Sequence, residues 1–251
     1  MKLSDIFVQL SINEFSKLSI AGEDQGVINE KNWDNIIPQI QLGLTALYTR
    51  FNLKEGSIAI ELTPGMNEYF LSSKYAKSNK KNKEGPFIIH DSELNKFKDD
   101  ILKIKSITNL YGREYPLNES GERFGIQMLT PTTIQLPAEY QSGANDIPEW
   151  MVTSMLFIRY WANHPKIVRN IGYFDPERVE VELPQAYLEP LLYYVASRVH
   201  NPVGMVNEFN AGNNYAAKYE ESCQRLEARN LDIDDFGYRD KGLRFRRAGW
   251  V

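Results

Sequence analysis

The chain has 251 residues, 42% hydrophobic and 25% charged, which suits a soluble protein of one large domain or two modest ones. Its 29 basic and 33 acidic side chains give a net charge of −4, which argues against broad affinity for nucleic acid while leaving room for a local basic patch. A single cysteine, Cys223, excludes an intrachain disulfide and any cysteine-based metal site, and no apolar run reaches the length of a membrane span.

Residues 4–18 carry an amphipathic helical pattern, with Leu3, Phe7 and Leu10 on one face, and residues 21–30 read as a polar loop. The opening MKLSDIFVQLSINEF lacks the basic start, apolar centre and small-residue cleavage site of a secretory signal, so a cytoplasmic setting is expected. Residues 33–51 form the clearest helix. Trp33, Ile36, Ile37, Ile40, Leu44, Leu47, Tyr48 and Phe51 share one stripe. Pro38 inside that stripe implies a late start or a kink.

Short strands follow. Residues 57–62 and 68–71 flank a Thr63-Pro64-Gly65 turn and suggest a hairpin. Residues 74–84 are polar and lysine-rich, hence a loop, and 87–90 suit a strand. Asp91 is placed to cap a short helix around 93–97. Residues 101–110 alternate, Gly112 turns the chain, and 124–129 with 132–136 bracket Pro131 as a strand pair. Residues 150–161 favour a strand by their β-branched and aromatic content, although periodicity alone leaves a helix open.

Two helices close the pattern. The first carries the stripe Tyr187, Leu188, Leu191, Leu192, Val195 and Val199, with Pro190 early in it. The second repeats Ala216, Tyr219, Cys223 and Leu226. The order implies an α+β fold. Residues 1–53 and 184–230 are expected as a helical bundle, and 54–183 as a β-rich domain built on a sheet or small barrel. Residues 231–251 are expected as an extended C-terminal arm.

Chemical motifs are scarce. His90, His164 and His200 lie far apart, none with a second ligand at metal-site spacing, so structural roles are expected. There is no nucleophile elbow and no phosphate-binding P-loop. The Asp232-x-Asp234-x-Phe236-Gly237 run fails as a calcium loop, because Phe236 takes a ligand position and no glutamate follows at the required distance. Asn118-Glu119-Ser120 reads as a polar turn, and Cys223 as a small core residue. Spacing does not exclude a pair of glycosidase carboxylates.

Two basic clusters remain. Lys74, Lys77, Lys80, Lys81 and Lys83 read as a solvated loop, with contact to phosphate or an acidic partner as the sharper alternative. Arg239, Lys241, Arg244, Phe245, Arg246, Arg247 and Trp250 combine the residue types that anchor interfaces, and read as an arm that orders against another subunit.

Four phrases carry a family likeness. They are the helix ending ALYTRF, the stretch DDILKIKSITNLYGREYPLN, the segment RYWANHPKI, and VELPQAYLEPLLYYVASR with the following GNNYAAKYEESCQRLE and the ending RRAGWV. In these the chain resembles the head-to-tail adaptor proteins of tailed bacteriophages, particularly the tail-tubular or head-completion proteins of short-tailed phages. The resemblance implies a non-enzymatic virion protein, assembled in the host cytoplasm, that forms an often twelve-fold ring beneath the portal. It implies the portal protein, a downstream tail or nozzle protein and further copies of itself as partners, with transient contact to DNA in the channel and no membrane. It implies no cofactor and no metal. The C-terminal arm would reach the portal, and the β-domain would face the tail. The insertion around residues 74–94 departs from the most compact members. A virion-associated cell-wall glycosidase and a tail-tube or capsid-decoration protein are the alternatives.

Overall fold

A computed structural model describes residues 1–14, 28–79, 85–92, 96–118, 125–137, 153–169, 173–200 and 206–229. The chain combines helices with antiparallel sheets, an α+β fold. It divides into two compact units, Met1–Leu53 with Lys166–Val251, and Lys54–Pro165. The stretch 166–183, expected with the strands, groups with the helices. Its backbone is tied there: Lys2 bridges Glu180, Leu3 N–H donates to the Val179 carbonyl, and Ile167 N–H donates to Gln41 Oε1 at 2.9 Å.

In the first unit, α1 (Leu3–Gln9) is shorter than its apolar pattern suggested. It passes into a π-helical turn over Leu10–Glu14 that still buries Leu10 and Ser11. A 3-10 turn over Glu30–Asn32, with the Asn29 side chain accepting from Lys31 N–H, leads into α2 (Trp33–Phe51). This helix starts at Trp33 and runs through Pro38, so a late start is not needed. The tertiary packing of its stripe offsets the one backbone hydrogen bond that proline removes. Asn52 ends it in the left-handed conformation, at φ 38°. A 3-10 turn over Gln185–Tyr187 precedes α3 (Leu188–Val199), which buries Leu191, Leu192, Val195 and Ala196. The last helix, α4 (Val206–Ala228), faces inward with Tyr219, Ser222, Cys223 and Leu226, while Ala216 is exposed and the neighbouring Tyr215 turns inward instead. Gly43 sets the approach of α2 to α3: an added Cβ there would lie 2.7 Å from a Leu191 methyl and 3.0 Å from the Tyr194 ring.

The second unit holds two antiparallel sheets. One has the order β3 (Ile88–His90), β1 (Glu55–Glu61), β7 (Met155–Ala162), β4 (Ile101–Thr108). The other has the order β2 (Glu68–Phe70), β6 (Thr133–Gln135), β5 (Gln127–Thr130). The ambiguous stretch 150–161 thus supplies β7, an interior strand whose even residues Leu156, Ile158, Tyr160 and Ala162 are buried. The expected hairpin of β1 with β2 does not form. The Thr63-Pro64-Gly65 turn exists, with Met66 N–H donating to the Thr63 carbonyl and Gly65 at φ 80°. It carries the chain from one sheet to the other, where β1 pairs with β3 and β7 and β2 pairs with β6. One apolar cluster joins both sheets through Ile60, Tyr69, Ile89, Ile107, Ile134 and Ile158, each buried. Each such side chain stabilises the fold by about 1.5–3 kcal/mol relative to exposure. Tyr160 lies directly over Gly56, its register partner, where a Cβ would meet the ring at 2.3 Å.

Candidate interaction surface

In the described part of the basic loop, two serine–aspartate contacts tie the backbone while Lys74 and Lys77 stay exposed. Ser73 donates both its backbone N–H and its hydroxyl to Asp99. Ser78 donates its backbone N–H at 3.0 Å and its hydroxyl at 2.5 Å to Asp91. These two clamps hold the turn that presents Lys74 and Lys77, both exposed, with the Lys74 ammonium 5.5 Å from the Tyr75 ring centre. Lys80, Lys81 and Lys83 lie outside the described residues. Asp91 also accepts from Phe97 N–H at 3.0 Å, although residues 96–98 are not helical and the rest of the expected 93–97 helix lies outside the described residues. Burial works to raise the Asp91 carboxyl, but the hydrogen bonds from Ser78 and Phe97 outweigh it and hold it below the ordinary carboxylate range.

The second fixed feature is the turn after β4. Asn109 is buried, and its Oδ1 accepts from both Tyr111 N–H and Arg113 N–H at 2.9 Å. Its backbone N–H donates to the Arg113 carbonyl, and its carbonyl accepts from Gly112 N–H, with Gly112 at φ 76°. One buried amide therefore closes the whole turn. Its tip faces solvent with apolar side chains: Leu110 is 50% exposed and Tyr111 80%. On the outer face of the four-stranded sheet, Phe157 and Ile88 are also exposed. Register places Phe157 opposite Thr108, at the base of this tip.

No catalytic constellation assembles from the histidines. His90 lies 3.1 Å from Glu61, His164 is buried with Nδ1 2.6 Å from the Pro165 carbonyl, and His200 is buried against the Tyr215 ring at 5.1 Å. Among the described residues, no group of three His, Cys, Asp or Glu side chains is arranged to hold a metal ion. Burial pushes the Cys223 thiol up, the opposite of what a nucleophile needs. Glu220 is held below the ordinary range by hydrogen bonds from Arg50, so neither it nor Asp91 is suited to act as a general acid. Asn118 serves its turn at φ 53°, accepting from Met128 N–H at 2.7 Å. A shallow cleft of about 480 Å³ beside α3 is lined by Gln9, Asn13, Gln185, Leu188, Leu192 and Glu189, whose carboxylate already accepts from Tyr193 and pairs with Arg225.

The Asp232–Gly237 run and the arm candidates Arg239, Lys241, Arg244, Phe245, Arg246, Arg247 and Trp250 lie outside the described residues. No described helix is long and apolar enough to cross a membrane. No protein-family model and no curated protein matches the chain.

Proposed function

We propose that this chain is a structural adaptor of a tailed-phage virion, joining the portal of the head to the tail as one copy of a ring around the DNA channel. The observation that supports it most is the rigid display of apolar side chains in the β unit. Asn109 uses a buried amide to hold Leu110 and Tyr111 in solvent, an arrangement that favours protein contact by reducing the ordering cost of binding. The four sequence phrases of the resemblance add to it. RYWANHPKI includes the end of β7, and VELPQAYLEPLLYYVASR builds α3. In this reading the partners are the portal protein, a tail or nozzle protein and further copies of the chain. In the same reading Arg239, Lys241, Arg244, Phe245, Arg246, Arg247 and Trp250 make the portal contact, and the loop of Lys74, Lys77, Lys80, Lys81 and Lys83 is a secondary contact with another partner.

The test mixes the full chain with a candidate portal protein and images the complex, with and without residues 237–251. A ring on the portal formed by the full chain and lost on truncation is the expected result. Truncated protein that docks as tightly as the full chain overturns the arm. Clearance of purified peptidoglycan that a single carboxylate substitution abolishes would replace the structural reading with the glycosidase one.

A further inference from the structure

The outer face of the four-stranded sheet, turned away from the apolar core, carries rings and cations in alternation. Along β7, Phe157, Arg159 and Trp161 point outward, while Ile158 and Tyr160 between them are buried. At about 3.3 Å per residue the two rings stand about 13 Å apart, with the guanidinium midway. Register sets Ser57 on β1 and Ser106 on β4 on either side of Arg159, and Thr108 beside Phe157. Trp161 is partly covered: the Lys103 ammonium lies over its ring, 4.9 Å from the centre. Lys103 is itself exposed, so the movement of one flexible side chain bares the ring. The Trp161 Nε1–H is buried and finds no acceptor among the described residues, a donor that an incoming acceptor would satisfy.

This face keeps an excess of positive charge although the whole chain carries −4. Its two carboxylates are engaged, Glu55 by Lys105 at 2.6 Å and Glu61 by His90 at 3.1 Å. Among the described residues neither Arg159 nor Lys103 is paired with a carboxylate. The borders do not reverse the sign. Exposed Lys77 adds a cation beside β3, and the turn after β4 sets Arg113 next to Glu114, which cancel.

We propose that this face binds a single strand of nucleic acid, with bases stacked on Phe157 and Trp161 and the phosphates between them lying over Arg159. Lys103 leaves the Trp161 ring for a phosphate and so uncovers the surface on which a base stacks. Ser57 and Ser106 donate to phosphate or sugar oxygens beside the guanidinium. Two rings with a cation between them match a chain that alternates flat bases with anionic links. Every base has such a flat face, so the contact tolerates sequence. A duplex keeps its bases stacked on one another and offers the rings nothing. The overall charge of −4 restricts binding to this patch. The proposal is independent of the adaptor reading, which implies only transient contact with DNA.

The experiment titrates the full chain into fluorescently labelled oligothymidylate or oligouridylate of about twelve nucleotides and follows anisotropy. Wild type is expected to bind the single strands and not a duplex of the same length. Binding to either sugar supports the proposal, and the tighter of the two names the source. Phe157→Leu keeps the apolar bulk but removes the stacking plane, and is expected to weaken binding roughly 5- to 150-fold. With two cations engaged, log Kd should rise against log salt with a slope of about 1.4, and Arg159→Gln should lower that slope by about 0.7. Arg198→Gln, which removes an exposed cation of the helical unit, should leave affinity and slope unchanged. Binding should quench tryptophan emission, and Trp161→Phe should remove that quench. Unchanged far-ultraviolet circular dichroism checks that each variant keeps the fold. A wild type that does not bind, equal binding of the duplex, or full affinity in both Phe157→Leu and Arg159→Gln overturns the proposal. So does a quench that persists in Trp161→Phe. Displacement of the strand by poly-glutamate at equal charge also overturns it, because an acidic peptide would then be the occupant.

Discussion

Among the described residues of the helical unit, the most extensive ion-pair contact lies where water reaches it. Arg50 on α2 donates to Glu220 at 2.7 and 2.9 Å and to Glu227 at 2.7 and 3.2 Å, both on α4, with all three side chains partly exposed. The helices themselves meet through apolar and aromatic contacts, such as Tyr194 on α3 edge-on to Tyr219 on α4 at 5.3 Å. The β unit does the reverse. Its turns are set by polar side chains that accept from backbone N–H groups, with Asn109 buried outright, and its outer surface carries Leu110, Tyr111, Phe157 and Ile88. Surface ion pairs add little to stability, while a buried acceptor serving two donors is costly to remove. The contrast lies in how polar groups are used, since exposed apolar side chains occur in both units, Ile12, Leu42, Val168 and Tyr173 in the helical one.

Four measurements would break or sharpen that contrast. Phe51→Ala, which empties a fully buried site in the helical unit, is expected to cost about 3–5 kcal/mol in urea unfolding. Asn109→Ala orphans two backbone donors and is expected to cost about 1–3 kcal/mol, with faster amide exchange at Tyr111 and Arg113. If that exchange stays slow, Asn109 does not hold the tip. A smaller effect is expected from pH. The folded Asp91 pKa lies below its unfolded value, so its stabilisation is present above the unfolded value and is lost as pH falls through the folded one. The urea midpoint of wild type should therefore fall more steeply than that of Asp91→Asn as pH drops through and below the ordinary carboxylate range; equal slopes would remove the clamp from the account. Arg50→Lys is the mildest, about 1 kcal/mol or less and shrinking with added salt, because the pairs are exposed.

Much of the fold was legible locally. The α2 stripe, the alternation of β4 and the β5–β6 pair around Pro131 all sit where periodicity places them. Pairing was not legible. The Thr63–Gly65 turn looks like a hairpin turn, yet β1 pairs with strands about 30 and 100 residues away, a choice that depends on the assembled core rather than on neighbours. The polar devices divide in the same way. Asn109 ahead of Gly112 is an Asx-turn signal that was there to be read. The Ser73–Asp99 and Ser78–Asp91 clamps join residues too far apart in sequence for spacing to reveal.

The register of β4 against β7 slips twice, between Ile101 and Lys103 and between Ile104 and Ser106. A regular edge strand offers an unbroken row of donors and acceptors that any extended chain can copy, and that row is how folded proteins seed fibrils. By breaking the row at Lys103 and again at Ser106, the molecule separates stickiness from templating. Leu110 and Tyr111 thus stand in water beside an edge whose register gives an extended chain no unbroken row to copy.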